Sequence, residues 1–311
     1  MTAAGASGAA TPSRPGAGDE RRESEGVPPP LRNPLVDGIR AGQLVVRMTR
    51  NDAEIVASQR LRYRVFYTEM QAQPTEEMRA QERDFDEFDP YCEHIVVVDD
   101  ERGNGADGVV GSYRLLQREA AMAHGGFYTA GEFDVGPLIR YPGKVLELGR
   151  SCVDVAYRGG PSMQLLWQGV TAYIKYNQIG IMFGCASLQG TDPGAHAEVL
   201  SYLYHYHLAP PAMRPVALPE RRVDMNFMPA EEIDQRRARS ALPPLLKGYL
   251  RLSGTIGDGA VVDYQFNTTD VCIVVNSDMV TDRYMRHYER GMSDRSGQES
   301  GGEPGPEGDG A

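Results

Sequence analysis

Residues 144–154 read KVLELGRSCVD, and the way this stretch folds decides how the rest of the chain is assembled. Val145, Leu146, Leu148, Cys152 and Val153 make a β-rich apolar run suited to the middle of a sheet. Glu147 and Arg150 interrupt it, and a charge buried there is costly unless it is paired or used on a ligand. Strict alternation sends residues 147 and 150 to opposite faces. Gly149, between them, is where a β-bulge restores both to one side. A bulged central strand splays from its neighbour, and an extended thioester arm lying in the gap can bond to the exposed backbone. That geometry suits acyl transfer to an amine, with Glu147 and Arg150 as candidate catalytic residues. The competing reading is a Glu–Arg pair that satisfies itself inside a core.

On either side of this strand the apolar periodicity alternates between strand and helix. Residues 44–49, 94–99 and 109–116 read as strands, and 52–66 (DAEIVASQRLRYRVF) as an amphipathic helix with Asp52 at its N-cap. Residues 161–178 form a helix with Pro161 in its first turn, followed by a buried strand at 179–187. Helices at 195–205 and 243–253 and strands at 261–266 and 271–275 complete the series. Consecutive strands near 94, 109 and 145 predict an antiparallel meander, and strand–helix–strand over 145–187 a parallel crossover. The fold class is therefore α/β: a mixed, mostly antiparallel central sheet with a splayed, bulged strand and helices on both faces.

The chain has 311 residues and a formal net charge of −11. Residues 1–38 and 291–311 are rich in Gly, Pro, Ser, Ala and charge, so the reading is a disordered extension, a folded domain over 39–290 and a disordered tail. The N-terminus carries no apolar secretory core, and no stretch approaches about twenty apolar residues. The four cysteines, Cys92, Cys152, Cys185 and Cys272, have no metal-ligand spacing and read as reduced residues of a cytoplasmic protein with no metal. The acidic balance argues against nucleic acid as a partner, and docking of an acidic carrier needs a local basic patch.

An ordered set of residues carries a resemblance. Arg62 and Phe66 in RYRVF, Asp86 and Asp89 in DEFD, Arg114 in SYRLL, then Glu147 and Arg150 in ELGR resemble the signature of acyl-homoserine-lactone synthases, which are GNAT-like acyltransferases. The tryptophan those synthases carry shortly after the phenylalanine has no counterpart at 69–72, which reads EMQA. Longer blocks are similar to another branch, the ornithine N-acyltransferases of ornithine-lipid synthesis. These are SLQGTDP (187–193), YLYHYHLAP (202–210), LPERRVDMN (218–226), LPPLLKGYLRLSG (242–254) and GDGAVVDYQFNTTDVCIVV (257–275). The resemblance as a whole covers about residues 42–288. The resemblance implies a GNAT-like fold and transfer of a 3-hydroxyacyl chain from acyl carrier protein to the α-amine of L-ornithine, without a cofactor. It also allows peripheral contact with the cytoplasmic face of the inner membrane.

The residues can be weighed for that chemistry one by one. Aminolysis of a thioester needs a neutral amine, and Glu147 can take its proton directly or through a water. Burial raises the proton affinity of Glu147 and Arg150 lowers it. Ornithine carries a second cation and a carboxylate, and Arg62, Phe66, Asp86, Asp89 and Arg114 are the candidate substrate contacts. Asp86 and Asp89 equally fit a clamp on Arg62, and Arg114 a structural pair with an acid. Ser151, Cys152 and Val153, with Arg158, Gly159 and Gly160 in RGGPS, are candidates for the acyl or pantetheine arm, Pro161 having removed one amide donor from that turn. His94 could orient an acid or simply fill the core, and His205 and His207 do not face one another on a helix. Lys247 and Arg251 share a helix face that fits either lipid and carrier contact or packing on the sheet. Glycine, lysine or glutamine as acceptor, and a non-catalytic acyl-binding module, are the alternatives.

Overall fold

A computed structural model describes residues 33–103 and 105–277, and both the meander and the crossover form in it. In chain order the first half comprises α1 (Pro34–Asp37), β1 (Ile39–Ala41), β2 (Leu44–Met48), α2 (Asp52–Tyr63), α3 (Glu76–Gln81), β3 (Glu93–Asp99), β4 (Val109–Gln117), α4 (Arg118–Ala123), β5 (Phe133–Asp134) and α5 (Gly136–Ile139). Next come β6 (Lys144–Val153), α6 (Ser162–Asn177), β7 (Ile179–Gln189) and α7 (Ala197–His207). The chain closes with β8 (Val216–Ala217), β9 (Arg222–Val223), α8 (Gln235–Ala241), α9 (Pro244–Arg251), β10 (Thr255–Asp263) and β11 (Thr268–Asn276). Strand order in the sheet is β1-β2-β3-β4-β6-β7-β11-β10-β8-β5, with β9 added on β10. β2, β3, β4 and β6 run antiparallel in sequence, while β6 and β7 are parallel across α6.

Alternating side chains on each strand feed two cores. On β6 and β7, Leu146 and Met182 pack with α1, α6, α7 and α9, where Leu35, Leu166, Tyr173, Leu203 and Leu246 are buried. Val145 and Phe183 point the other way, to Phe127, Phe133 and Leu138 around α5. Helices therefore cover both faces. Among the described residues, no helix is long and apolar enough to cross a membrane.

Several boundaries differ from the sequence reading. Residues 33–38, assigned to the disordered extension, are ordered: Asn33 Oδ1 accepts from Leu35 N at 2.9 Å, and Leu35 is buried. The remainder of that extension and the 291–311 tail lie outside the described residues. Asn51, not Asp52, caps α2, accepting from Glu54 N at 3.1 Å. Beyond Tyr63 the α-helix widens into a π-helical turn over Arg64–Glu69, which buries Val65 and Tyr67. β10 begins at Thr255 rather than 261, because its glycines accommodate a bulge between Ile256 and Ala260, with Gly259 at φ 90°.

The central strand parts from its neighbour as expected, with the bulge one residue late. β6 pairs with β7 only from Lys144 to Glu147; beyond Phe183 the two strands diverge. At the fork, a Cβ on Gly184 would stand 2.2 Å from the Leu148 carbonyl oxygen, so only glycine fits. On the other edge Gly149 pairs regularly with Arg114, and the register to β4 shifts between Ser112 and Arg114. Arg150 takes the left-handed conformation, φ 53°. That placement costs a non-glycine residue about 1–2 kcal/mol, which surrounding contacts must offset.

Candidate active site

Where β6 and β7 part, a cavity of about 320 Å³ opens. Its apolar side is lined by Val65, Phe66, Met163, Leu245, Tyr249 and Ile273, and its polar side by Tyr128, Thr129, Glu147, Cys185 and Asp270. Glu147 faces it from the last paired position of β6 and is 4% exposed. Its carboxylate accepts from Tyr128 N at 3.0 Å and Thr129 N at 2.7 Å. Burial holds its proton affinity above the usual carboxylate range, against the Thr129 hydrogen bonds and the Arg114 charge. A carboxyl in that state, beside a cavity, is suited to accept a proton.

Arg150 does not pair with Glu147. Its guanidinium reaches Asp84 (Nε to Oδ2, 3.2 Å) and Asp86 (Nη2 to Oδ2, 3.1 Å), and lies 4.7 Å from the Tyr128 ring centre and 4.5 Å from that of Phe266. Two carboxylates and two ring faces therefore hold the left-handed turn in place. With Glu147 on one side and Arg150 on the other, Tyr128 brings both residues to one wall, as the bulge was expected to do.

The acidic segment expected to contact substrate forms a buried clamp. Arg62, fully buried, donates to both oxygens of Asp89 at 2.8 Å, to Asp84 Oδ2 at 2.7 Å and to the Asp84 carbonyl at 2.6 Å. Asp86 accepts from Arg114 at 2.6 Å as well as from Arg150. Arg62, Asp86 and Asp89 do not line the cavity; Phe66 and Arg114 do. For Arg62, Asp86 and Asp89 the substrate-contact reading is therefore corrected: the alternative, a clamp on Arg62, is the one that forms with Asp89, and Asp86 is instead held between Arg114 and Arg150. The Asp84 and Asp89 carboxyls are both held below the usual range, the neighbouring arginines outweighing burial. His94 sits 3.8 Å from Asp89 with neither ring nitrogen hydrogen-bonded, and burial lowers it to about 4, so it is a neutral core residue.

On the donor side, Ser151, Cys152, Val153 and Arg158 reach the cavity. Gly159 and Gly160 do not; they are exposed in the turn into α6, where Gly160 N donates to Tyr157 O at 3.3 Å. Their assignment to the acyl arm is corrected accordingly. Burial raises the Cys152 thiol to about 12, which removes it as a nucleophile. His205 is held by Asn226 and Met228 and His207 by Tyr202, so neither turns to the cavity. α9 packs on the sheet through Leu246 and Tyr249 and directs Lys247 and Arg251 outward into a groove with Arg236 and Arg239.

Three parts of the site were absent from the sequence reading. Asp84 shares Arg62 with Asp89, the Tyr128–Thr129 segment holds Glu147, and Glu132 and Asp270 stand beyond it. One carboxylate oxygen from each of the last two and Cys185 Sγ lie within 4.8 Å of one another. The Cys185 thiol, pushed up by burial and by Glu132, stays protonated and donates to Glu132 Oε2 at 3.4 Å. Asp270 had a signal of the same kind as Glu147, an acid inside an apolar closing strand.

Residues 61–168 match the family model of an acetyltransferase (GNAT) domain, a span that contains Arg62, Glu147 and Arg150. The chain is 48% identical over 253 residues to the L-ornithine N(alpha)-acyltransferase of Agrobacterium fabrum, covering 80% of this chain and 86% of that protein. It is 45% identical over 252 residues to the protein of the same name in Rhizobium meliloti, covering 80% and 85%. Among solved structures, an N-acyl amino acid synthase from uncultured soil microbes aligns with 12% identity and a TM-score of 0.42, over 76% of this chain and 91% of its own.

Proposed function

The chain belongs to the L-ornithine N(alpha)-acyltransferase family, and from that premise we propose that it transfers a 3-hydroxyacyl group from acyl carrier protein to the α-amine of L-ornithine. The product is lyso-ornithine lipid, in the first step of ornithine-lipid synthesis. The observation that carries this reading is Glu147, a buried, proton-avid carboxyl at the fork between β6 and β7, with an apolar wall on one side and acids on the other.

The ornithine ammonium gives its first proton to Glu147, directly or through a water. The free amine attacks the thioester carbonyl. The C–N bond forms as the C–S bond breaks, the second N–H proton goes to the departing thiolate, and Glu147 returns its proton to solvent. Of the three arginines on the cavity wall, Arg158 stands on the donor side, and Arg114 and Arg150 are assigned to the α-carboxylate. The unpaired edge of β6 beyond Glu147 accepts the extended pantetheine arm, and the cavity side lined by Phe66, Met163, Leu245 and Ile273 takes the acyl chain.

Two features support a carrier protein as donor. The Gly159–Gly160 turn lies off the cavity, so these two glycines do not offer a pyrophosphate cradle to the thioester. The groove bearing Arg236, Arg239, Lys247 and Arg251 supplies the local basic patch that a chain of net charge −11 needs to receive an acidic carrier. Because α9 contributes to both groove and cavity, docking there delivers the arm to the fork. The proposed location is cytoplasmic, peripheral at the membrane face where an amphiphilic product can be released.

Purified protein incubated with 3-hydroxyacyl carrier protein and, separately, ornithine, lysine, glutamine and glycine tests the reading. The expected result is the mass of the ornithine lysolipid in clear excess. No amide with any acceptor, or a preference for glycine, overturns it.

A further inference from the structure

The acids expected from sequence to hold the second charge of ornithine are occupied by arginines, yet the cavity has another acidic wall. Asp270 lies on β11 opposite Ser187 of β7 and is 4% exposed, and its Oδ1 has no hydrogen-bond partner. Asp263, diagonal to it across the β10–β11 pair and also on the cavity wall, turns one oxygen back to the amides of Gln265 and Phe266 at 2.8 and 3.0 Å. Glu132, 3% exposed, stands off the cavity behind Cys185, whose thiol donates to its Oε2 at 3.4 Å. The only cation within 4 Å of these three acids among the described residues is Arg221, 3.9 Å from Glu132 on the outer side. Three buried carboxyls against one distant guanidinium leave the wall short of positive charge. Burial and mutual repulsion accordingly raise the proton affinity of both Glu132 and Asp270.

We propose that Asp270, flanked by Asp263 and backed by Glu132 behind the Cys185 thiol, forms the subsite for the side-chain ammonium of the acceptor amino acid. This inference rests on the reading of the chain as an ornithine acyltransferase and assigns the residues that select for ornithine. The spacing fits. Phe183 is the β7 residue paired with Glu147, and Cys185, which touches Glu132, lies two residues further on the same face. Two strand residues span about 6.6 Å. The two nitrogens of extended ornithine are roughly 6 Å apart by ordinary bond lengths. Thr129 bridges the interval: its N–H is on Glu147, and its hydroxyl oxygen is 3.7 Å from Cys185 Sγ. An α-amine placed at Glu147 thus puts the δ-ammonium beside Asp270 and the hydroxyls of Thr129 and Ser187, all on the cavity wall, with the charge of Glu132 behind them.

The test compares ornithine with norleucine, which puts a methyl group where the ammonium stands, in the wild type, Asp270→Asn and Glu132→Gln. The expected outcome is that the wild type's preference for ornithine over norleucine in kcat/KM drops roughly ten- to a hundredfold in each variant. A ratio that stays within about threefold in both, with both folded by melting temperature, overturns the subsite while leaving the ornithine reaction standing. If the wild type itself does not acylate ornithine, both the reaction and the subsite fall. Should either variant fail to fold, calorimetry on the wild type decides: ornithine, but not norleucine, should bind with proton release to the buffer as the acids become fully ionised. Binding of the two amino acids with equal affinity overturns the proposal. So does one equivalent of zinc that survives dialysis in the wild type and is lost in Cys185→Ser.

Discussion

The backbone N–H of Thr129 points into the carboxylate of Glu147, 2.7 Å from Oε1, and the preceding amide of Tyr128 reaches the other oxygen at 3.0 Å. Two amides thus fix the orientation of the one acid at the fork and keep it from turning toward the arginines below. Glu147→Gln should keep the fold and lower turnover by about a hundredfold or more. Steady-state kinetics alongside melting temperature separate the two effects; a variant within threefold of wild type places the base elsewhere. The acid limb of the wild-type pH–rate profile should lie above the usual carboxylate value, in line with the raised affinity of Glu147.

The clamp makes a different prediction. Removing Arg62 leaves Asp84 and Asp89 buried without their main partner, so Arg62→Met should cost about 3–5 kcal/mol of stability. Asp86→Asn, which loosens Arg114 and Arg150 together, should lower the melting temperature and depress all acceptor amino acids alike. A selective loss on ornithine would return Asp86 to the substrate pocket.

Two glycines separate the fork from the turn. Gly184→Ala drives a methyl into the Leu148 carbonyl and should lower both melting temperature and turnover, with a stability loss of about 1–3 kcal/mol. Gly160→Ala meets nothing closer than Tyr157 O at 3.7 Å and should leave both near wild type. A strong loss of turnover at Gly160 with melting unchanged would restore that turn to the donor site.

Buried His94 makes the fold less stable as pH falls, while the raised acids Glu132, Asp270 and Glu147 act in the opposite sense. The affinity of His94 is lowered from 6.5 to about 4, burial first and Arg62 next, so the unfolded chain takes up the proton sooner. The stabilisation is full above about pH 6.5 and is lost as pH falls toward 4, with a slope of up to about 1.4 kcal/mol per pH unit. His94→Gln should therefore gain stability relative to the wild type as pH falls from 7 to 4, read as the difference between their urea midpoints at each pH. Below about pH 4 the depressed carboxyls of Asp84 and Asp89 add a further loss, since their contribution exists only while they are ionised.

Much of the fold was legible because runs such as 94–99, 109–116 and 179–187 are apolar enough to admit one reading. The charged pair inside 144–154 marked the fork by the cost of burying it. What stayed hidden was which acid faces which cation. In RDFDEFD three aspartates alternate with aromatics, and nothing local distinguishes Asp84, which is buried, from Asp86, which is half-buried. The loop over residues 124–135 has no periodicity, so its grip on Glu147 appears only in three dimensions. The bulge moved from Gly149 to Arg150 because ion pairs and ring faces, which local propensity does not register, compensate the left-handed arginine.

The clamp also bears on how the molecule comes into being. Arg62 meets Asp84 across 22 residues, and Arg150 meets the same aspartate across 66. Contacts of such separation close late, after the loops between them have lost their freedom. The left-handed turn at Arg150 is therefore set only when α2, the acidic segment and β6 have all arrived. A nascent chain that has not reached β6 has no partially working fork, and an intermediate with β6 unpaired has no shaped cavity in which to trap a thioester. Catalytic competence in this design is a report on completed folding.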